Sequence, residues 1–131
     1  MSECHKQKTI LLVDDDETIL NLLSKILEGE YNILTAPDGA AALEKSRDFE
    51  SGIDLLLSDF QMPGLSGIQL ATAITIDRPK LKVLLMSGFP EGMLVLNDGW
   101  HFLPKPFIPS QLRALIVGLL HPDARSKFVT D

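Results

Sequence analysis

The chain holds a single cysteine, Cys4, so no internal disulfide can brace it. It also has no apolar run near the roughly 18 residues that suggest a membrane span. The first residues, MSECHKQK, are polar and lack an apolar signal core. These absences point to the cytoplasm. Positive charge is scarce too: the 12 Lys and Arg are scattered against 18 Asp and Glu, for a formal net charge of −6. Neutralising phosphates takes a clustered basic face, so direct nucleic-acid binding is disfavoured. Binding to a membrane surface is disfavoured for the same reason. Cys4 and His5 are too few ligands for a metal site.

What is present suits one domain of ordinary size. The 131 residues are 45% hydrophobic and 23% charged, enough for a single buried core. Short apolar runs alternate with segments of helical periodicity. Ile10-Leu11-Leu12-Val13 is apolar at every position, as in a strand covered on both faces of a parallel sheet. Ile19, Leu22, Leu23, Ile26 and Leu27 then recur at helical spacing, with Asp16 as the cap. Further strands are predicted over Tyr31–Thr35, Ile53–Ser58, Leu81–Met86 and Trp100–Leu103. Helices are predicted over Ala40–Phe49 and Ser66–Asp77, and from Pro109 and Ser110 to about Leu120. Pro90 and Gly92 permit only a short helix, at most over Glu91–Asn97. Residues 1–8 and 122–131 are expected to be flexible tails around a domain of residues 9–121.

Five successive βα units imply a parallel sheet with helices on both faces and right-handed crossovers. In such sheets the ligand site lies beyond the C-terminal strand ends. The first strand ends in Asp14 and Asp15, the third in Asp59, the fourth in Ser87 and the fifth near Lys105. Three carboxylates gathered there repel one another unless something neutralises them. A hard divalent cation with oxygen ligands is the natural partner, and Mg²⁺ favours a few carboxylates, waters and a phosphate oxygen. Three carboxylates, one lysine and Mg²⁺ sum to zero. A phosphoryl group on Asp59 would replace a monoanion by a group near −2. A hydroxyl and an ammonium are the side chains that answer that extra charge.

The segments LLVDDDE, LLLSDFQMPGLSG, VLLMSG and FLPKPF, in this order and at these strand ends, resemble the response-regulator receiver family of two-component signalling. The match runs from Thr9 to about Leu120. The resemblance implies a flavodoxin-like doubly wound (βα)5 fold with strand order 2-1-3-4-5. It implies Asp59 as nucleophile and phosphoacceptor, fed by a histidine kinase or phosphotransfer protein. It implies Asp15 as a direct Mg²⁺ ligand, Asp14 acting mainly through water, and the Gln61 backbone carbonyl as a further ligand. Lys105 pairs first with Asp59 and then with the phosphoryl group, and Ser87 hydrogen-bonds a phosphoryl oxygen. Gly88 leaves the entrance open. Phe102 takes the place of the switch aromatic, and Lys105-Pro106 matches a bond that is cis in the family. The implied role is a switch that signals by protein contact, not a dedicated enzyme.

Other readings stand beside this one. Asp14 and Asp15 also suit a solvated strand end, Asp59 a turn, and Phe102 an ordinary core position. Asp14-Asp15-Asp16-Glu17-Thr18 also fits the D-x-D-x-T motif of haloacid-dehalogenase-type phosphatases, with Asp14 as nucleophile. That family needs a further acidic pair after the lysine, and only Asp123 and Asp131 follow Lys105. It also leaves Asp59 and its Met-Pro-Gly loop unexplained. A degenerate receiver that binds partners without phosphorylation is a second rival. The stretch from Ser87 to Lys105 is shorter than the family pattern by about one helical turn, so the fourth helix is expected to be a single turn or a loop. The residues after Leu120 are too few for a helix-turn-helix unit. A single-domain regulator and a receiver cut from a hybrid histidine kinase both fit, and Ser87-Gly88 with the short fourth helix favours the hybrid type.

Overall fold

The computed structural model describes residues 7–88 and 100–121. In chain order the elements are β1 (Thr9–Val13), α1 (Glu17–Leu27), β2 (Asn32–Ala36), α2 (Gly39–Asp48), β3 (Leu55–Asp59), α3 (Gly67–Asp77), β4 (Lys82–Ser87), β5 (Trp100–Pro104) and α4 (Pro109–Leu120). The strands form one parallel sheet in the order β2-β1-β3-β4-β5. The parallel sheet is the one the βα units imply, and its strand order is the one the family resemblance implies. The expected single turn or loop between 89 and 99, and both tails, lie outside the described residues.

Strands apolar at every position have two faces to cover, and both are covered. Every residue of β1 is buried. Ile10, Leu12, Leu55, Leu57, Leu84, Met86 and Leu103 face α1 and α4, where Leu20, Leu23, Leu27, Leu112 and Ile116 meet them. Leu11, Val13, Leu56, Val83 and Leu85 face α2 and α3, where Ala42, Leu70, Ala71 and Ile74 meet them. Trp100 and Phe102 pack half-buried against this second cluster. The buried stripe of α1 is Leu20, Leu23 and Leu27, whereas Leu22 is 51% exposed. The predicted stripe was therefore wider than the contact surface a single helix offers the sheet.

Local chemistry sets where the helices begin. Asp16 caps α1 by accepting from the Thr18 N–H, as the sequence suggests. Asp38 caps α2 by accepting from the Ala41 N–H. Ser66 and Gln69 form a reciprocal capping box at the start of α3. Predicted strand bounds shift by a residue or two. Tyr31 makes only an isolated bridge with Glu28, so β2 begins at Asn32. The ladder of β3 with β4 begins at Leu55 and reaches Asp59. β1 lies between β2 and β3, so the chain reverses direction across the sheet there and opens a crevice above the C-terminal ends of β1 and β3.

Candidate functional site

The strand register brings the acidic groups together. Val13 pairs with Ser58, so the residues that follow, Asp14 and Asp59, leave the sheet side by side. Carboxylate oxygens of Asp14, Asp15 and Asp59 lie within 4.8 Å of one another. Asp14 is buried, Asp59 half-buried and Asp15 exposed, so the cluster grades from the protein interior to solvent.

Lys105 closes the other side. Its Nζ lies 3.1 Å from Asp59 Oδ1, in a pair with side-chain exposures of 33% and 14%. Its backbone N–H donates to the Ser87 carbonyl at 2.7 Å, which ties the end of β5 to the end of β4. The Lys105-Pro106 bond is cis, as the resemblance implies. Ser87 ends β4 and is buried. Gly88 is exposed, and a Cβ there would meet no described residue within 4 Å. Gln61 stands two residues beyond Asp59, in the loop before α3, with its side chain exposed. Phe102 meets Phe60 edge to face, with ring centroids 5.7 Å apart.

The electrostatics are those of a site short of positive charge. Three carboxylates and one lysine leave a formal −2. Asp14 Oδ1 accepts from the Asp16 N–H at 2.8 Å, but its Oδ2 is buried with no hydrogen-bond partner among the described residues. A buried orphan oxygen on an ionisable group is costly unless a cation or ordered water answers it. Burial pushes the Asp14 carboxyl up to about 6; the Asp16 N–H opposes this, the Asp59 charge adds to it, Lys105 opposes and Asp15 adds. An all-oxygen donor set with a net double negative charge fits a hard divalent cation.

Two contributors escaped the sequence reading. Phe60 touches Phe102, though only its place beside Asp59 hinted at a role. A Cβ on Gly67 would collide with the Asp59 carbonyl oxygen and fall 3.0 Å from Phe60 Cα. Only glycine lets α3 sit so close to the backbone of the central acid. Its placement after a Pro-Gly loop and a capping Ser was the available signal.

A doubly wound α/β domain with an acidic pocket and a paired lysine at its switch point defines a class of protein. The profile of the response regulator receiver domain matches residues 10–117. The transcriptional regulatory protein CpxR of Escherichia coli is 38% identical over 115 residues, covering 85% of this chain and 48% of CpxR. The chain thus spans about half the length of that relative. The chemotaxis protein CheY4 of Vibrio cholerae has a similar structure, with TM-score 0.76 and 27% identity over 88% of this chain and 100% of that one. The receiver domain of the hybrid histidine kinase CckA matches with TM-score 0.76 and 30% identity, covering 86% of this chain and 99% of that one. The chain belongs to the response regulator receiver domain family of two-component signalling.

Receiver domains are signalling domains that bind Mg²⁺ at an acidic pocket, and Asp14, Asp15 and Asp59 form a pocket of that kind. Family membership sets aside the phosphatase reading with Asp14 as nucleophile. Lys105 pairs with Asp59, and Asp14 is the buried member of the cluster. No described helix is long and apolar enough to cross a membrane.

Proposed function

We propose that residues 9–121 form a receiver unit that takes a phosphoryl group onto Asp59 with Mg²⁺ and then signals by protein contact in the cytoplasm. The observation that carries this reading is the buried Asp14 Oδ2, without a hydrogen-bond partner among the described residues, in a carboxylate cluster whose half-buried member, Asp59, is held by Lys105. The donor is a phosphohistidine on a histidine kinase or phosphotransfer protein. Nucleic acid and membrane are not partners in this reading.

Asp15, Asp59 and the Gln61 carbonyl would hold Mg²⁺ directly, and Asp14 through water. The ion would neutralise charge on the transferred group. An Asp59 carboxylate oxygen attacks phosphorus in line. The new O–P bond forms as the P–N bond breaks, and the imidazole leaves with that electron pair. Lys105 holds the Asp59 carboxylate before transfer and follows the phosphoryl charge after it. The Ser87 hydroxyl then donates to a phosphoryl oxygen, and Phe102 moves with it. This shifts a two-state equilibrium already present in the unphosphorylated chain.

Acetyl phosphate tests the reading without knowledge of the kinase. With Mg²⁺ the intact protein gains the mass of one phosphoryl group, and the Asp59→Asn variant, still folded, gains none. Label on Asp14 would revive the phosphatase. No mass gain with several small phosphodonors favours the degenerate receiver.

A further inference from the structure

We propose that Phe60 is a latch that holds Phe102 in its resting position, a positioning residue for the response to phosphorylation. The inference rests on the phosphoacceptor reading and names a residue outside the acidic pocket. Phe60 follows Asp59 directly in the chain, and its backbone is pinned from two sides. Its N–H donates to the Met86 carbonyl at 2.8 Å, and its carbonyl accepts from the Gly67 N–H at 2.9 Å. Helix α3 sits against it so closely that a Cβ on Gly67 would lie 3.0 Å from Phe60 Cα. The base of the Phe60 side chain is therefore fixed between β4 and α3, one residue beyond Asp59.

The ring of Phe60 is the surface that Phe102 meets. The two centroids are 5.7 Å apart and the planes are inclined at 61°. Both residues are half-buried on the α2–α3 face of the sheet. Phe102 pairs in register with Leu85, two residues before Ser87, and stands three residues before Lys105. A ring anchored beside Asp59 thus touches a ring on the strand that leads to Lys105. Edge-to-face pairs have a preferred geometry, and their loss changes an equilibrium by about two- to tenfold. A displacement of Phe102 away from Phe60 would break this pair. The contact belongs to the unphosphorylated chain, so it opposes the switched arrangement. Removing the ring at position 60 tips the balance the other way.

The experiment uses the full chain with beryllofluoride and Mg²⁺ as the phosphoryl mimic. The ring signals of Phe102 are followed by NMR in wild type and Phe60→Leu. Half-saturation is read from the fluorescence of Trp100, the single tryptophan. In Phe60→Leu without mimic, the Phe102 signals should lie displaced toward the bound position of the wild type. Half-saturation should fall about two- to tenfold. Phe102→Leu breaks the same pair from the other side, so it should lower half-saturation similarly and add little to Phe60→Leu. It also serves if Phe60→Leu does not fold. Binding with unchanged half-saturation in these variants, or full additivity in the double variant, overturns the latch alone. Absence of any beryllofluoride binding by the wild type removes the phosphoacceptor reading and the latch with it.

Discussion

Replacing Asp14 by Asn should stabilise the metal-free fold at neutral pH, although it removes a residue of the site. Burial is the main reason the Asp14 carboxyl rises from 3.8 to about 6. The folded chain therefore holds that proton more tightly than the unfolded chain does. The resulting stability is fully present below the unfolded value of 3.8 and is lost as pH rises through about 6. Above both values the ionised carboxylate costs the fold about 3 kcal/mol. Asn removes that charge and keeps an acceptor for the Asp16 N–H. Its amide nitrogen inherits the partnerless position of Oδ2, which returns part of the cost, so a net gain of about 1–2 kcal/mol is expected. The assay is urea unfolding of both proteins in chelator at about pH 7.5 and again near pH 4. The gain should be present at the higher pH and shrink several-fold at the lower, where Asp14 is protonated in the folded chain and about half protonated in the unfolded chain. Saturating Mg²⁺ should narrow it at neutral pH, because ligand binding stabilises the wild-type fold. An Asn variant less stable than wild type in chelator at neutral pH, or a gain independent of pH, would refute the reasoning.

Three further outcomes follow from the same geometry. Arg78 donates to Ser46 Oγ and to the carbonyls of Ser46, Phe49 and Ser51, clasping the end of α2 to the end of α3. Arg78→Ala should lower urea stability by about 2–4 kcal/mol and leave the rate of labelling by acetyl phosphate unchanged. Gly67→Ala should cost about 1–3 kcal/mol of stability and weaken Mg²⁺ binding in calorimetry, because its Cβ displaces the loop that carries Gln61. Ser87→Ala should take up the phosphoryl group by intact mass yet give a smaller Trp100 fluorescence change with beryllofluoride.

Much of this was legible in the sequence because the chemistry sits where apolar runs stop. Ile10–Val13 gives way abruptly to Asp14, and Leu55–Ser58 to Asp59, so strand ends and site residues announce each other. The Asp16 cap was legible for the same local reason. Contacts across elements were not. Asp14 and Asp15 are adjacent and chemically identical, and only strand register and packing bury the first and expose the second. Phe60 follows β3 and Phe102 lies in β5, and nothing in either local pattern predicts their ring contact. Arg78 is satisfied mainly by backbone carbonyls of another helix end, which leave no complementary charge to find in the sequence. Leu22 fits the helical period as well as Leu23 does, but the sheet touches only one side of α1.

The position of a bound cation bears most directly on all of this. Crystals soaked in Mn²⁺, a heavier stand-in for Mg²⁺, should give a single strong anomalous peak among Asp14, Asp15 and Asp59, at about 2.0–2.5 Å from carboxylate oxygens of Asp15 and Asp59 and from the Gln61 carbonyl. A peak elsewhere, or none at Mn²⁺ concentrations that support labelling of Asp59, would contradict a phosphoacceptor pocket built on these three acids.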